Sequence, residues 1–303
     1  MDLRSKGFIS DDRSSIHARV LASRYRTKKS FLDGFTKLHI FVVSLRCDHS
    51  CPYCQVSRQS EDRLKYDMPP EIARKGVDLM LQVPARDVTC EFQGGEALLN
   101  FPLVREIVEY ATERNQSIGK RITFVVCTNL STLSDEHLDY FKLHDIHVST
   151  SVDGPAFLHD KNRPFSKGSS HAVVERNLKR AQEALGRERV AALMTTTKES
   201  LKYQKEIIDE YLRLDLGSIF LRHLNPFGFA VKTAKVIGYD SDDFVTFYKK
   251  ALAYIIEVNR SGRHFPESYA TLILQKILTP FPVGYVDLQS PAGTKAYPVV
   301  PGS

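Results

Sequence analysis

Cys47, Cys51 and Cys54 fall within the ten residues RCDHSCPYCQ at 46–55, spaced C-x3-C-x2-C with Tyr53 just before the third. Soft sulfur donors on one tight loop converge naturally on a single metal centre. A zinc site would ask for a second ligand pair a dozen or more residues on, and none follows. A [4Fe–4S] cluster fits better, because three thiolates hold three corners of the cube and leave the fourth iron free for a substrate or cofactor. The remaining cysteines, Cys90 in VTCEF and Cys127 in FVVCTN, lie in apolar strand-like runs and are expected to be buried, inert thiols. Five cysteines in all is an odd count, which argues against a disulfide framework.

The elements that must position this loop recur as a unit: a β-branched run, a polar or glycine-containing loop, then a helical stretch. Strands are expected over 38–45, 87–93, 121–128, 146–152, 189–195 and 218–224, with near-continuous apolar cores typical of parallel strands buried on both faces. Helical patterns fill 69–82, 101–115, 134–143, 171–186, 200–213 and 241–259, with Ser134 as an N-cap and Gly186 as a C-terminal stop. Six successive βα units imply an α/β fold. We read it as a partial (β/α)6 TIM-like parallel barrel with short N- and C-terminal extensions. The expected divisions are a basic N-terminal extension over 1–35, the partial barrel over 36–260, and a C-terminal helix and tail over 261–303.

In such a barrel, chemistry collects at the C-terminal ends of the strands. The cysteine loop follows the first strand, QGGEALLN the second, TNLS the third and STSVDGPAFLHDKNRP begins at the end of the fourth. The unusual polar and glycine residues thus share one face. His49, His159 and His223 lie near the same mouth and are read as bystanders.

Here the sequence resembles the radical S-adenosylmethionine (SAM) superfamily. The cysteine spacing with Tyr53, and Gly94-Gly95-Glu96 matching the family's GGE motif after the second strand, carry the resemblance. It implies that SAM chelates the open iron and that its reductive cleavage gives methionine and a 5′-deoxyadenosyl radical. Residue by residue, it implies that Gly94 and Gly95 admit the methionyl ammonium, that Glu96 offsets its charge, and that Tyr53 and Met194 lie near the adenine. Asn129, Ser151 and Asp153 would bond the ribose and methionyl groups, and Arg163 would pair with the SAM carboxylate.

Longer strings narrow the resemblance. STSVDGPAFLHDKNRP is similar to the peptide- and protein-maturase branch, and YRTKKSFLDGFTKLHIFVVSLRCDHSCPYCQVSRQS, FQGGEALLNF, ALMTTTKESL and IFLRHLNPFGFA resemble the maturase of the His-Xaa-Ser repeat peptide system. The implied partners are a peptide or protein substrate, such as a His-Xaa-Ser repeat protein, and a reductase or flavodoxin-like electron donor. The chain departs from the branch in one respect. No cysteine follows Cys127, where members commonly continue into a cysteine-rich extension, so it is read as a reduced or truncated form. Rival readings are a catalytically degenerate partner that holds cluster and peptide, and a zinc- or iron–sulfur-binding regulator.

Composition bounds these readings. Apolar residues at 42% suffice for a sizeable core, and no apolar run reaches a membrane span or follows Met1 as a signal peptide. A cytoplasmic protein is expected. The net charge of +6 is modest, and few aromatics interleave with the run Arg19, Arg24, Arg26, Lys28 and Lys29, unlike a nucleic-acid surface. It is read as a solvated face or tail.

Overall fold

The computed structural model describes residues 16–30, 36–60, 62–279 and 296–299. A six-stranded, wholly parallel sheet runs through them in the spatial order β5-β4-β3-β2-β1-β6. Its strands are β1 (Leu38–Ser44), β2 (Asp87–Gly94), β3 (Arg121–Cys127), β4 (His147–Ser151), β5 (Val190–Leu193) and β6 (Ala296–Val299). Among the described residues β5 and β6 do not pair, so the barrel stays open as expected.

The first five strands are those the apolar runs imply. The expected sixth, over 218–224, does not join the sheet. The backbone of Ile219 is taken instead by the chain at 266–268: its amide donates to Pro266 O (3.1 Å) and its carbonyl accepts from Ser268 N (2.8 Å). One bond, Thr196 N to Arg222 O at 2.9 Å, is what links this segment to the chain leaving β5. The sixth place is filled on the other edge by β6, paired with β1 from Leu38–Ala296 to Phe41–Val299.

Helices cover the sheet. Those beside the expected patterns are α3 (Pro70–Gln82), α4 (Phe101–Asn115), α5 (Asp135–Leu143), α7 (Ser170–Leu185), α8 (Gln204–Arg213) and α10 (Ser241–Arg260). Ser134 caps α5 in a full capping box with His137, and Gly186, at φ +89°, ends α7. The segment 200–202 is a separate 3-10 turn rather than the start of α8. Thr197 and Ser200 exchange backbone-to-hydroxyl bonds there, which closes a local turn. Further helices are α1 (Ile16–Lys29), α2 (Arg63–Tyr66), α6 (Ala156–Asn162), α9 (Phe229–Ile237) and α11 (Ser268–Leu278). The arginines Arg19, Arg24 and Arg26 are exposed on α1.

The core lies between sheet and helices. Phe41 and Phe92, partners across β1 and β2, meet at 6.3 Å between ring centroids, and Val104, Ile107, Phe141 and Tyr211 close over the strands with no solvent exposure beyond 1%. Among the described residues no helix is long and apolar enough to cross a membrane.

Candidate active site

The cysteine loop leaves β1 and is tied down at both ends by side chains. Arg46, 5% exposed, makes a two-pronged ion pair with Asp67 (Nε–Oδ1 2.7 Å, Nη2–Oδ2 2.8 Å) and also donates to Leu99 O (2.7 Å). Ser44 Oγ donates to the same carboxylate at 2.6 Å. Such a bidentate pair fixes orientation as well as contributing energy. It binds the loop's entry to the chain before α3 and to the turn after β2.

His49 anchors the middle of the loop. Its Nδ1 lies 2.7 Å from Asp48 Oδ1, its Nε2 2.8 Å from Ser170 Oγ at the start of α7, and its ring stacks on Phe165. Asp48 in turn accepts from Ser131 Oγ (2.5 Å) and Asn129 Nδ2 (2.9 Å). Burial works against its charge, yet hydrogen bonds from His49, Ser131 and Asn129 hold its carboxyl down at about 2. His49, expected to be a bystander, is therefore a structural anchor. A thiol, carboxylate and ring nitrogen from Cys47, Asp48 and His49 do lie within 4.8 Å of one another, but the last two are committed to these bonds.

A third anchor comes from α9. Phe229 N donates to Cys54 O (2.9 Å), and Thr233 Oγ1 donates to Pro52 O (2.7 Å). Gly228 precedes the helix at φ +59°, and a Cβ there would stand 2.4 Å from Gln55 O. Glycine is required for this approach. The string NPFGFA carried that signal, a glycine directly before an apolar run, without showing what it packs against.

Cys47, Cys51 and Cys54 line one cleft at the C-terminal ends of the strands, together with Tyr53, Gly94, Gly95, Asn129, Ser151 and Arg163. The three thiols are half-buried. Burial lifts the Cys47 thiol far above its ordinary value and the Cys51 thiol to about 11. Sulfurs in such a setting become thiolates when a metal supplies the compensating positive charge. Cys47 Sγ also accepts from His49 N (3.4 Å) and Asn129 Nδ2 (3.9 Å), bonds of the kind that orient and tune a cluster ligand. The donor set thus fits an iron–sulfur centre.

The double glycine has a reason on the protein side. Cβ atoms at Gly94 and Gly95 would lie 2.1 Å from Ser44 O and 2.2 Å from Arg46 O. Gly95 N and Glu96 N donate to those same carbonyls, at 2.8 and 2.7 Å. The glycines let the turn after β2 press against the root of the cysteine loop.

Three expected residues do not line the cleft. Glu96 is fully buried below it, accepting from Thr128 Oγ1 (2.6 Å) and Leu98 N (3.0 Å) on one oxygen and from Asn129 N (2.7 Å) on the other. Burial raises its carboxyl to about 7 against those bonds. Asp153, also fully buried, accepts from Tyr53 Oη, from Arg163 Nε (3.1 Å) and from Thr195 N (3.1 Å). Met194 is a core side chain at 1% exposure. Glu96 and Met194 each lie one position along the chain from a lining residue, and alternation along a strand end turns such neighbours away. Asp153 lies two positions beyond Ser151, past the end of β4. Cys90 is fully buried as expected, whereas Cys127, expected to be buried, is half-buried and lines the cleft.

Glu96 therefore joins the β2 and β3 loops. Glu96→Gln keeps the shape but turns an amide NH2 toward one of its donors. A loss of about 1–3 kcal/mol is expected in urea denaturation at a pH above about 7, where the native carboxylate is ionised. An unchanged midpoint would show that the three bonds contribute nothing net.

Residues 41–211 match the family model described as the radical SAM superfamily. An uncharacterized protein of Methanocaldococcus jannaschii is 26% identical over 197 residues, which span 64% of this chain and 65% of that one. The serine-type anaerobic sulfatase-maturating enzyme of Bacteroides thetaiotaomicron is 27% identical over 133 residues, 44% of this chain and 32% of the enzyme. Native anSMEcpe with bound AdoMet and Cp18Cys peptide has a similar fold, with a TM-score of 0.67 at 19% identity over 80% of this chain and 65% of that one. The chain spans less than two thirds of the length of each of these relatives.

Proposed function

The chain belongs to the radical SAM superfamily, whose cofactors are a [4Fe–4S] cluster and SAM, and from that premise we propose that it is a peptide maturase. The observation that carries the reading is the convergence of Cys47, Cys51 and Cys54 on one cleft with the double glycine and Arg163. When bound, the two cofactors supply one-electron reductive cleavage of SAM and abstraction of a hydrogen atom from the substrate.

Cys47, Cys51 and Cys54 are the residues that would hold the cluster. Asn129, Ser151 and Arg163 present an amide, a hydroxyl and a guanidinium to the cleft, where SAM's polar groups would be received. Asp153 and Glu96 act from below: the first orients Arg163 and Tyr53, the second fixes the Asn129 backbone. Tyr53 lines the cleft, and Met194 supports it only from the core. Among the described residues β5 and β6 do not pair, and an extended peptide would be received at that open edge. Peptide-bound anSMEcpe, and SuiB of Streptococcus suis bound to its precursor peptide SuiA, support such a partner. Within that class, we assign a His-Xaa-Ser repeat peptide as substrate and a flavodoxin-like reductase as electron donor, on the strings quoted above.

The test is anaerobic reconstitution with iron and sulfide, followed by dithionite and SAM. Formation of 5′-deoxyadenosine is expected. A full cluster without cleavage would identify a cluster- and peptide-binding partner instead, and a colourless zinc complex without iron uptake would overturn both.

A further inference from the structure

Three arginines reach the cleft, and they differ in what holds them. Arg163 is paired with the buried Asp153 and lies 5.4 Å over the Tyr53 ring. Arg58 donates to Ser50 Oγ at 2.8 Å. Arg222 stands on the irregular segment that replaces the sixth strand, and its side chain makes no hydrogen bond or ion pair among the described residues, although its Nε is fully buried. The lining includes no carboxylate.

Arg222 is half-buried, with its Nε fully enclosed and unpaired. An enclosed guanidinium N–H left without an acceptor is costly, and its retention points to a partner that arrives with the ligand. SAM does not discharge the cleft, since its ammonium and sulfonium outnumber its one carboxylate. The charge that reaches the cysteine side is that of Arg163, which acts on Cys51. Arg222 lines the same cleft from the segment joined to the chain after β5 by the Thr196 N–Arg222 O bond. That the segment at 218–224 leaves the ladder is what frees this side chain from a regular strand position.

We propose that Arg222 is a specificity-determining residue that receives a carboxylate of the substrate, so that the peptide presents an acidic side chain beside the position to be modified. The proposal rests on the maturase reading for the peptide but not on turnover. A planar guanidinium grips a carboxylate by two parallel bonds and has no equivalent grip on an amide.

The experiment uses the reconstituted, SAM-loaded full chain and two dansylated, C-terminally amidated pentapeptides, Gly-Ser-Glu-Ser-Gly and Gly-Ser-Gln-Ser-Gly, followed by fluorescence anisotropy. The acidic probe is expected to bind about tenfold or more tightly than its amide counterpart, a difference of about 1.4 kcal/mol. Arg222→Gln should abolish the preference, and Arg222→Lys, which keeps the charge but not the fork, should retain part of it. SAM affinity, measured on the same variants, should stay within about threefold of native, a difference well under 1.4 kcal/mol. Equal binding of the two probes to the native chain, or no binding of either, overturns the proposal. So does a loss of SAM affinity in Arg222→Gln that matches the loss of preference, which would assign the arginine to the SAM carboxylate. Failure of 5′-deoxyadenosine formation would count against the maturase reading alone, because binding is read without turnover.

Discussion

Replacing Cys51 with alanine should give a folded chain that takes up little iron on reconstitution, lacks the brown chromophore and forms no 5′-deoxyadenosine. The cysteine loop does not depend on this thiol for its shape. The pair Arg46–Asp67, the His49–Ser170 bond and the Phe229–Cys54 backbone bond all hold the loop without it. What is lost is one of three thiolates, and two leave an iron–sulfur cube without adequate anchorage. Cys90→Ala supplies the contrast. Its thiol is fully buried in β2 and should be replaceable with full cluster retained, at a stability cost of about 1 kcal/mol for the small cavity. Iron and sulfide analysis of both variants checks the assignment, and a full cluster in Cys51→Ala would contradict it.

Asp153→Ala should be the most destabilising of the variants considered, by about 3–5 kcal/mol. Asp153 is fully buried, and Arg163, whose side chain is 12% exposed, relies on it. Removing the carboxylate strands the guanidinium and leaves the Tyr53 hydroxyl and the Thr195 amide without an acceptor. Breaking a buried pair from one side costs more than the pair contributes, because the remaining charge keeps its desolvation penalty. Asp153→Asn, which preserves an acceptor for Thr195, should lose less. Equilibrium denaturation gives the comparison through the midpoint at constant slope. A loss below about 1 kcal/mol would show that water reaching Arg163 through the cleft replaces Asp153.

Much of this site was legible in the chain. The Cys47, Cys51 and Cys54 spacing names a metal loop, because ligand type and separation are local properties. Five strands and six helices were readable from apolar period and caps, such as Ser134 and Gly186, for the same reason. The run at 218–224 has the composition of a strand and misled, since composition cannot say which backbone will claim its hydrogen bonds. Here the chain at 266–268 claimed Ile219. Cys127 likewise looked like a core thiol, and whether a strand-end residue faces cleft or core depends on where neighbouring strands stop.

Sequence by itself determined the chemistry on offer: three soft ligands, a double glycine after the second strand, and a parallel barrel that brings both to one mouth. Tertiary structure alone decided which side chains meet. It set Glu96 and Asp153 beneath the cleft as supports, used His49 and Gly228 to fasten the loop, and left the Arg222 side chain in the cleft lining without a partner among the described residues. The physical reason is that hydrogen bonds and ion pairs between residues a hundred positions apart, such as Tyr53 with Asp153, depend on packing distances that no local pattern encodes.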